Sequence, residues 1–228
     1  MCGIGGVFRT HSEHRVDQQL LVNMAAIQAH RGPDGFGIES LEGCGVGFCH
    51  ARLSIIDLDG NRARQPFLSE DNQVLMAHNG EFYDFQRIRA DLTAQGVRFA
   101  SKSDSEILLR LYQRQGLEQT LPLLRGEFAF ALYDRNQDCL YLVRDRFGVK
   151  PQYWTLTPED LRDSLPEEIL GPEHEVDQLN YIRDKCVAPS APCRRRVLIV
   201  CACWCWNSLR MAGPSDCRFL CGIESSRP

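Results

Sequence analysis

Apolar positions along the first 150 residues recur in two rhythms, one close to every third or fourth residue and one close to every second. In "VDQQLLVNMAAIQAH", Val16, Leu20, Met24 and Ile27 fall at spacings of four, four and three. That spacing predicts one face of an amphipathic helix, which Arg31-Gly32-Pro33 ends. A short strand is expected at residues 4–8, and strand-like segments at "GVGFCHARLSIID" and "QVLMAHN". A helix from about Asp84 to Gln95 would bury Phe85, Ile88 and Leu92 and stop at Gly96. The next helix opens in "SDSEILLRLYQRQG", where Ser103 and Glu106 have the spacing of a capping box and Gly116 stands where a terminating glycine belongs.

"EFAFALYD" and "CLYLVRD" read as a hairpin joined by Arg135-Asn136-Gln137. Phe128, Phe130 and Leu132 point one way along it; Ala129, Ala131 and Tyr133 point the other. Both faces are apolar, so the strand must be covered on two sides. A buried antiparallel sheet, with a second sheet on one face and helices on the other, meets that demand. The fold class expected is therefore α+β.

Composition adds limits. The 228 residues are 43% hydrophobic and 25% charged, enough for one globular domain or one with an appendage. A net charge of −4, without a basic stripe before residue 190, argues against nucleic acid as a partner. Glu13 and Asp17 interrupt any apolar leader, and no apolar run approaches the roughly 18 residues of a membrane helix. A cytoplasmic location follows as the expectation. Of eleven cysteines, Cys2, Cys44, Cys49 and Cys139 are scattered over the first 150 residues, and the other seven fall between Cys186 and Cys221. Free thiols are expected rather than a disulfide framework.

Cys2 carries the most chemistry. Loss of Met1 would give this residue both a thiol and a free α-amine, whose ordinary pKa of about 7.7–8.0 lets it serve as the thiol's base near neutrality. The plain alternative is a small, half-buried residue leading into the first strand. Asn79-Gly80 has two readings as well, because Asn-Gly between apolar runs is also a tight hairpin turn.

The blocks "MCGIGGVF", "HRGPDGFG", "HARLSIIDL", "HNGEFYD", "SDSEILL", "GEFAFALYD" and "RDRFGVKP" stand in the order found in class II glutamine amidotransferases. They most resemble the glutaminase domain of glutamine-hydrolysing asparagine synthetase, over residues 2 to about 154. The resemblance implies the four-layer αββα sandwich of two antiparallel sheets of the N-terminal nucleophile hydrolases. It implies Cys2 as nucleophile, with Asn79 (side-chain amide) and Gly80 (backbone N–H) as oxyanion donors. It further implies Arg52 as the partner of the substrate carboxylate, and Asp104 with Glu81 as partners of its ammonium. The backbone of Leu53, Ser54, Ile55 and Ile56 would line the pocket. Arg31 is expected near Cys2, lowering its thiol pKa; His30, His50 and His78 are expected to be structural. No metal ligand spacing appears in this region.

The resemblance implies glutamine as substrate, and no cofactor for its hydrolysis. ATP and Mg²⁺ would serve only a synthetase domain, whose phosphate-cradling Ser-Gly-Gly-x-Asp-Ser loop does not occur in the chain. Residues 155–228 depart from the family pattern and are expected to form a divergent, irregular and poorly ordered tail, with the last strand of the domain lost. The Cys201, Cys203, Cys205 alternation is not the spacing of a zinc knuckle. Two other readings stay open: an inactive truncated or frameshifted remnant, and a glutamine-binding module that works with a separate synthetase chain.

Overall fold

The computed structural model describes residues 1–8, 15–57, 62–155 and 197–200. Its strands are β1 (Gly3–Phe8), β2 (Gly35–Leu41), β3 (Val46–Arg52), β4 (Phe67–Leu68), β5 (Val74–Phe82), β6 (Gly126–Asp134), β7 (Cys139–Arg144), β8 (Tyr153–Thr155) and β9 (Val197–Val200). The helices are α1 (Gln18–Ile27), α2 (Phe85–Ala94) and α3 (Ser105–Thr120). Two antiparallel sheets result, ordered β2-β3-β1-β9-β8 and β4-β5-β6-β7.

Three apolar clusters show how these layers stack. Ile4, Phe8, Val46 and Phe48 of the first sheet meet Leu75, Ala77, Ala129, Ala131 and Tyr133 of the second. Phe128, Phe130 and Leu132, on the opposite face of β6, pack with Ile88 and Leu92 of α2 and with Ile107, Leu108 and Leu111 of α3. On the outer face of the first sheet, Val7 and Cys49 pack with Leu21 and Ala25 of α1. The order is helix, sheet, sheet, helices, the four-layer α+β sandwich expected. The period-two reading of β6, with its two apolar faces, holds residue for residue.

Several local expectations are corrected. The face of α1 that meets the sheet is centred on Leu21 and Ala25; Ile27 is 72% exposed. The Asp17 side chain accepts from the Gln19 N–H (2.8 Å) and fixes the helix start. The sheet beneath is lined with glycine, so α1 comes very close: a Cβ at Gly47 would lie 2.8 Å from Leu21 Cδ1. Leu21 and Ala25 take the centre, and the partly buried Leu20 and Met24 pack alongside.

The capping box does not form. Ser103 Oγ accepts from the Ser105 N–H (3.2 Å), while Glu106 reaches out to the 100–101 backbone. Gly116 does break the helix, with φ 75°, but the chain resumes helical turns beyond it. Gly35-Phe36-Gly37 opens β2. Asn79-Gly80 is no hairpin turn: it lies inside β5, with Asn79 opposite Ala129 and Gly80 opposite Phe128 on β6.

Beyond residue 154 the picture also differs. Val197–Val200, within the segment set apart as a tail, enters the first sheet as β9 between β1 and β8. The Cys201–Cys205 alternation and the remaining tail residues lie outside the described residues.

Candidate functional site

The site forms where the ends of β1, β3 and β5 meet the N-terminus of α3. Cys2 stands directly before β1. Its Sγ accepts from the Leu53 N–H (3.3 Å) and lies 3.6 Å from the Leu53 carbonyl oxygen. Burial pushes the Cys2 thiol pKa up. The Leu53 hydrogen bond, the α-amine at the chain start and the Arg52 charge pull against it, and Asp104 adds to the rise. Arg31 does not act on the thiol as expected. Its Nε donates to the Cys2 carbonyl oxygen (3.2 Å) and so holds the backbone of the residue.

The "HRGPDG" segment passes beside the start of β1 and the end of β3. At Gly32 a Cβ would sit 2.2 Å from the Ala51 carbonyl carbon, so only glycine permits this approach. The Asp34 N–H donates to the Arg52 carbonyl (3.0 Å), and Asp34 Oδ2 accepts from the Ser54 N–H (2.7 Å). One turn therefore anchors both the start of β1 and the segment leaving β3.

That segment carries the next residues. Arg52, the last residue of β3, is 8% exposed, and its Nη2 donates to the Asp57 carbonyl. Asp57, in left-handed conformation at φ 58°, accepts from the Lys102 N–H through Oδ2 (2.6 Å). The two walls of the cleft are thereby joined. Ile55 is exposed at 72%, on the rim.

From the second sheet come Asn79 and Gly80. Asn79 is buried, yet neither its Nδ2 nor its Oδ1 has a hydrogen-bond partner among the described residues. Buried amides are almost always paired, which makes this one unusual among the described residues. Gly80 has φ 144°, and a Cβ there would lie 2.0 Å from the Glu127 carbonyl oxygen on β6. Asp104, at the start of α3, is buried and accepts from the Phe82 N–H (3.0 Å). Burial raises its pKa above the ordinary aspartate value; bonds from the Phe82 and Ser105 amides and from Ser103 oppose the rise.

Cys2, Arg52, Leu53, Ile55, Ile56, Asn79, Gly80, Glu81 and Asp104 all line one cleft. Ser54 is not among its lining residues, and its N–H is taken by Asp34. The sequence reading missed part of the floor. His50 and His78 line the cleft, both buried, and burial pushes each imidazole pKa down to about 3. Both are therefore neutral at pH 7. The His78 ring bonds Ser105 Oγ (2.8 Å) and stacks on Phe82. Among the described residues neither ring nitrogen of His50 has a hydrogen-bond partner; the His78 carbonyl lies near enough to affect its pKa but outside bonding geometry. The period-two pattern of β3 could have located His50, since it shares the inward face with Phe48 and Arg52.

The rim is closed by "RDRFGVKP". Asp145, nearly fully buried, accepts from the Phe128, Phe147, Val149 and Lys150 amides at 2.9–3.3 Å. Burial raises its pKa, but these four N–H bonds prevail and hold it below the usual value. The turn they fix presents Lys150 to Glu127 at 2.6 Å on the cleft edge. Among the described residues there is no cluster of histidine, cysteine or carboxylate side chains able to hold a metal, and no helix long and apolar enough to cross a membrane.

Residues 1–174 match the glutamine amidotransferase domain family. Asparagine synthetase [glutamine-hydrolyzing] 1 of Bacillus subtilis is 40% identical over 157 residues, covering 68% of this chain and 24% of that protein. Amidase chry2 of Gibberella zeae is 41% identical over 167 residues, again 68% of this chain and 24% of the relative. The chain thus spans about a quarter of the length of either. Among solved structures, the glutamine phosphoribosylpyrophosphate amidotransferase of B. subtilis, complexed with ADP and GMP, superposes with a TM-score of 0.57 at 22% identity. It covers 69% of this chain and 40% of that one, and its likeness speaks for the fold.

Proposed function

Because the chain belongs to the glutamine amidotransferase domain family, we propose that it hydrolyses the side-chain amide of glutamine, releasing glutamate and ammonia, with Cys2 as nucleophile. The observation that carries this reading is the unpaired, buried amide of Asn79 in the cleft that also holds the Cys2 thiol. With Met1 removed, the α-amine of Cys2 takes the thiol proton as Sγ attacks the amide carbon. The oxyanion that forms is met by Asn79 Nδ2 and the Gly80 N–H. The amine returns the proton to the departing nitrogen, ammonia leaves, and a thioester remains on Cys2. Water, deprotonated by the same amine, attacks the thioester; its collapse frees glutamate and restores the thiol.

Arg52 holds the substrate carboxylate, and Asp104 with Glu81 holds its ammonium. A guanidinium fork suits the first task because it grips both oxygens. Leu53 to Ile56 form the wall, with the Leu53 N–H steadying the thiol. Neutral His50 and His78 are not the base: burial lowers their pKa values to about 3, which makes both rings weak proton acceptors. The reading needs neither metal nor cofactor, since thiol, amine and fixed donors supply each step. The ammonia would feed a synthetase activity of the kind named in the relative asparagine synthetase [glutamine-hydrolyzing] 1, and a cytoplasmic setting suits the free thiols of Cys2, Cys44, Cys49 and Cys139.

The test is release of glutamate from glutamine without ATP or Mg²⁺. Cys2→Ala should abolish it while preserving the melt, and intact mass should show a mature chain beginning at Cys2. Full activity with Met1 retained would overturn the assignment of the amine as base.

A further inference from the structure

Resting on the reading of Asp104 as the holder of the substrate's ammonium, we infer that Arg89 and Glu106 are positioning residues that set specificity for the α-amino group by clamping the 100–104 segment from opposite sides. This segment links α2 to α3 and belongs to no sheet or helix, so its backbone groups need partners elsewhere. Side chains supply them. The Glu106 carboxylate accepts from the Ala100 N–H (2.9 Å), the Ser101 N–H (2.7 Å) and Ser101 Oγ (2.7 Å). From α2, Arg89 donates Nη1 to the Ser101 carbonyl (2.8 Å) and Nη2 to the Ser103 carbonyl (2.6 Å).

The Ser103 carbonyl belongs to the peptide group that leads into Asp104, so the Arg89 fork fixes the plane from which that carboxylate projects. Arg89 is itself held over the Phe99 ring at 4.2 Å. The Glu106 charge is met by Arg110 Nη2 at 3.0 Å. Neither Arg89 nor Glu106 lines the cleft. Each acts through the segment it grips, and a small tilt of that segment would move the Asp104 carboxylate off the substrate nitrogen while leaving Cys2 and Asn79 in place.

The test compares glutamine with glutaramate (4-carbamoylbutanoate), which is glutamine without its α-amino group. Steady-state kinetics of the full chain would be measured for wild type, Arg89→Lys, Arg89→Met, Glu106→Gln and Asp104→Asn, each first shown by melting to be folded at the assay temperature. Arg89→Met and Glu106→Gln should raise KM for glutamine about tenfold with kcat within about threefold. Glutaramate hydrolysis should hold, so that the preference for glutamine collapses towards that of Asp104→Asn. Arg89→Lys keeps the charge without the fork and should retain part of the preference, which keeps the test open if the Met variant does not fold. Equal losses on both substrates, as a purely structural role demands, would overturn the inference. A wild-type chain indifferent to the α-amino group, or an unchanged preference in Asp104→Asn, would instead overturn the reading of Asp104 and the inference with it.

Discussion

Asn79 is a buried amide whose hydrogen-bonding capacity is entirely unspent within the described protein. Leaving such a group unpaired costs about 1–3 kcal/mol, a cost that makes sense if a transient negative oxygen is its partner. Asn79→Ala should lower kcat for glutamine by about 10²–10³ with little change in KM, the usual effect of one lost oxyanion donor; steady-state assays decide it. Asp104 tells the same story in charge. Its pKa is raised in the folded chain, chiefly by burial. In the window between its ordinary and its raised pKa the native state binds more protons than the unfolded state, so stability falls as pH rises through that window. At neutral pH the ionised group is a net burden on the fold. Asp104→Asn should therefore melt higher than wild type at pH 7, by about 1 kcal/mol, while its KM for glutamine rises. The difference in melting should shrink when the scans are repeated near pH 4.

At the scale of elements, β5 and β6 approach each other most closely beside the cleft. Gly80 faces the Glu127 carbonyl and Gly126 faces the Glu81 carbonyl, each so near that a Cβ would sit 2.0 Å from the oxygen. Both glycines also have φ near 145°, a conformation closed to other residues. Gly80→Ala should spread these strands and lower the melting temperature as well as remove activity, unlike Asn79→Ala, which removes a costly unpaired amide and should not lower the melt; thermal scans of the two variants separate the cases.

The same elements show what the sequence disclosed. The period-two pattern of β6 specified both of its buried faces, because alternation leaves little freedom once each side is apolar. The helix of residues 18–27 was legible in kind but not in facing. Its orientation depends on glycines of a sheet 20 or more residues away, and no window of local sequence contains them. Ser103 and Glu106 have the spacing of a capping box, yet the unpaired amides of residues 100–101 compete for the same carboxylate and win. Cys2, Arg52, Asn79 and Asp104 could be named from motif order; the alternation of β3 puts His50 on the inward face with Arg52, but His78 carries no mark of the cavity it faces.

For the molecule as a whole, β9 matters most. It lies between β1 and β8 and pairs Gly5–Phe8 with Val197–Val200. A chain ending at residue 155 would leave β1 and β8 with open edges, and an exposed edge invites pairing between molecules. Such a chain should melt lower than the 228-residue chain and self-associate, as light scattering alongside thermal scans would show. The pairing also dictates a sequence of events during synthesis. The second sheet and its two helices are complete once residue 144 is available, whereas β1 must wait for a strand almost 190 residues downstream. At about 5–20 residues per second, roughly 10–40 seconds separate the birth of the strand behind Cys2 from that of its last neighbour. Through that interval the leading strand is a half-zipped edge at the ribosome surface, accessible to enzymes that trim chain starts and to chaperones that recognise open strands. The part of the protein made first is thus the part closed last.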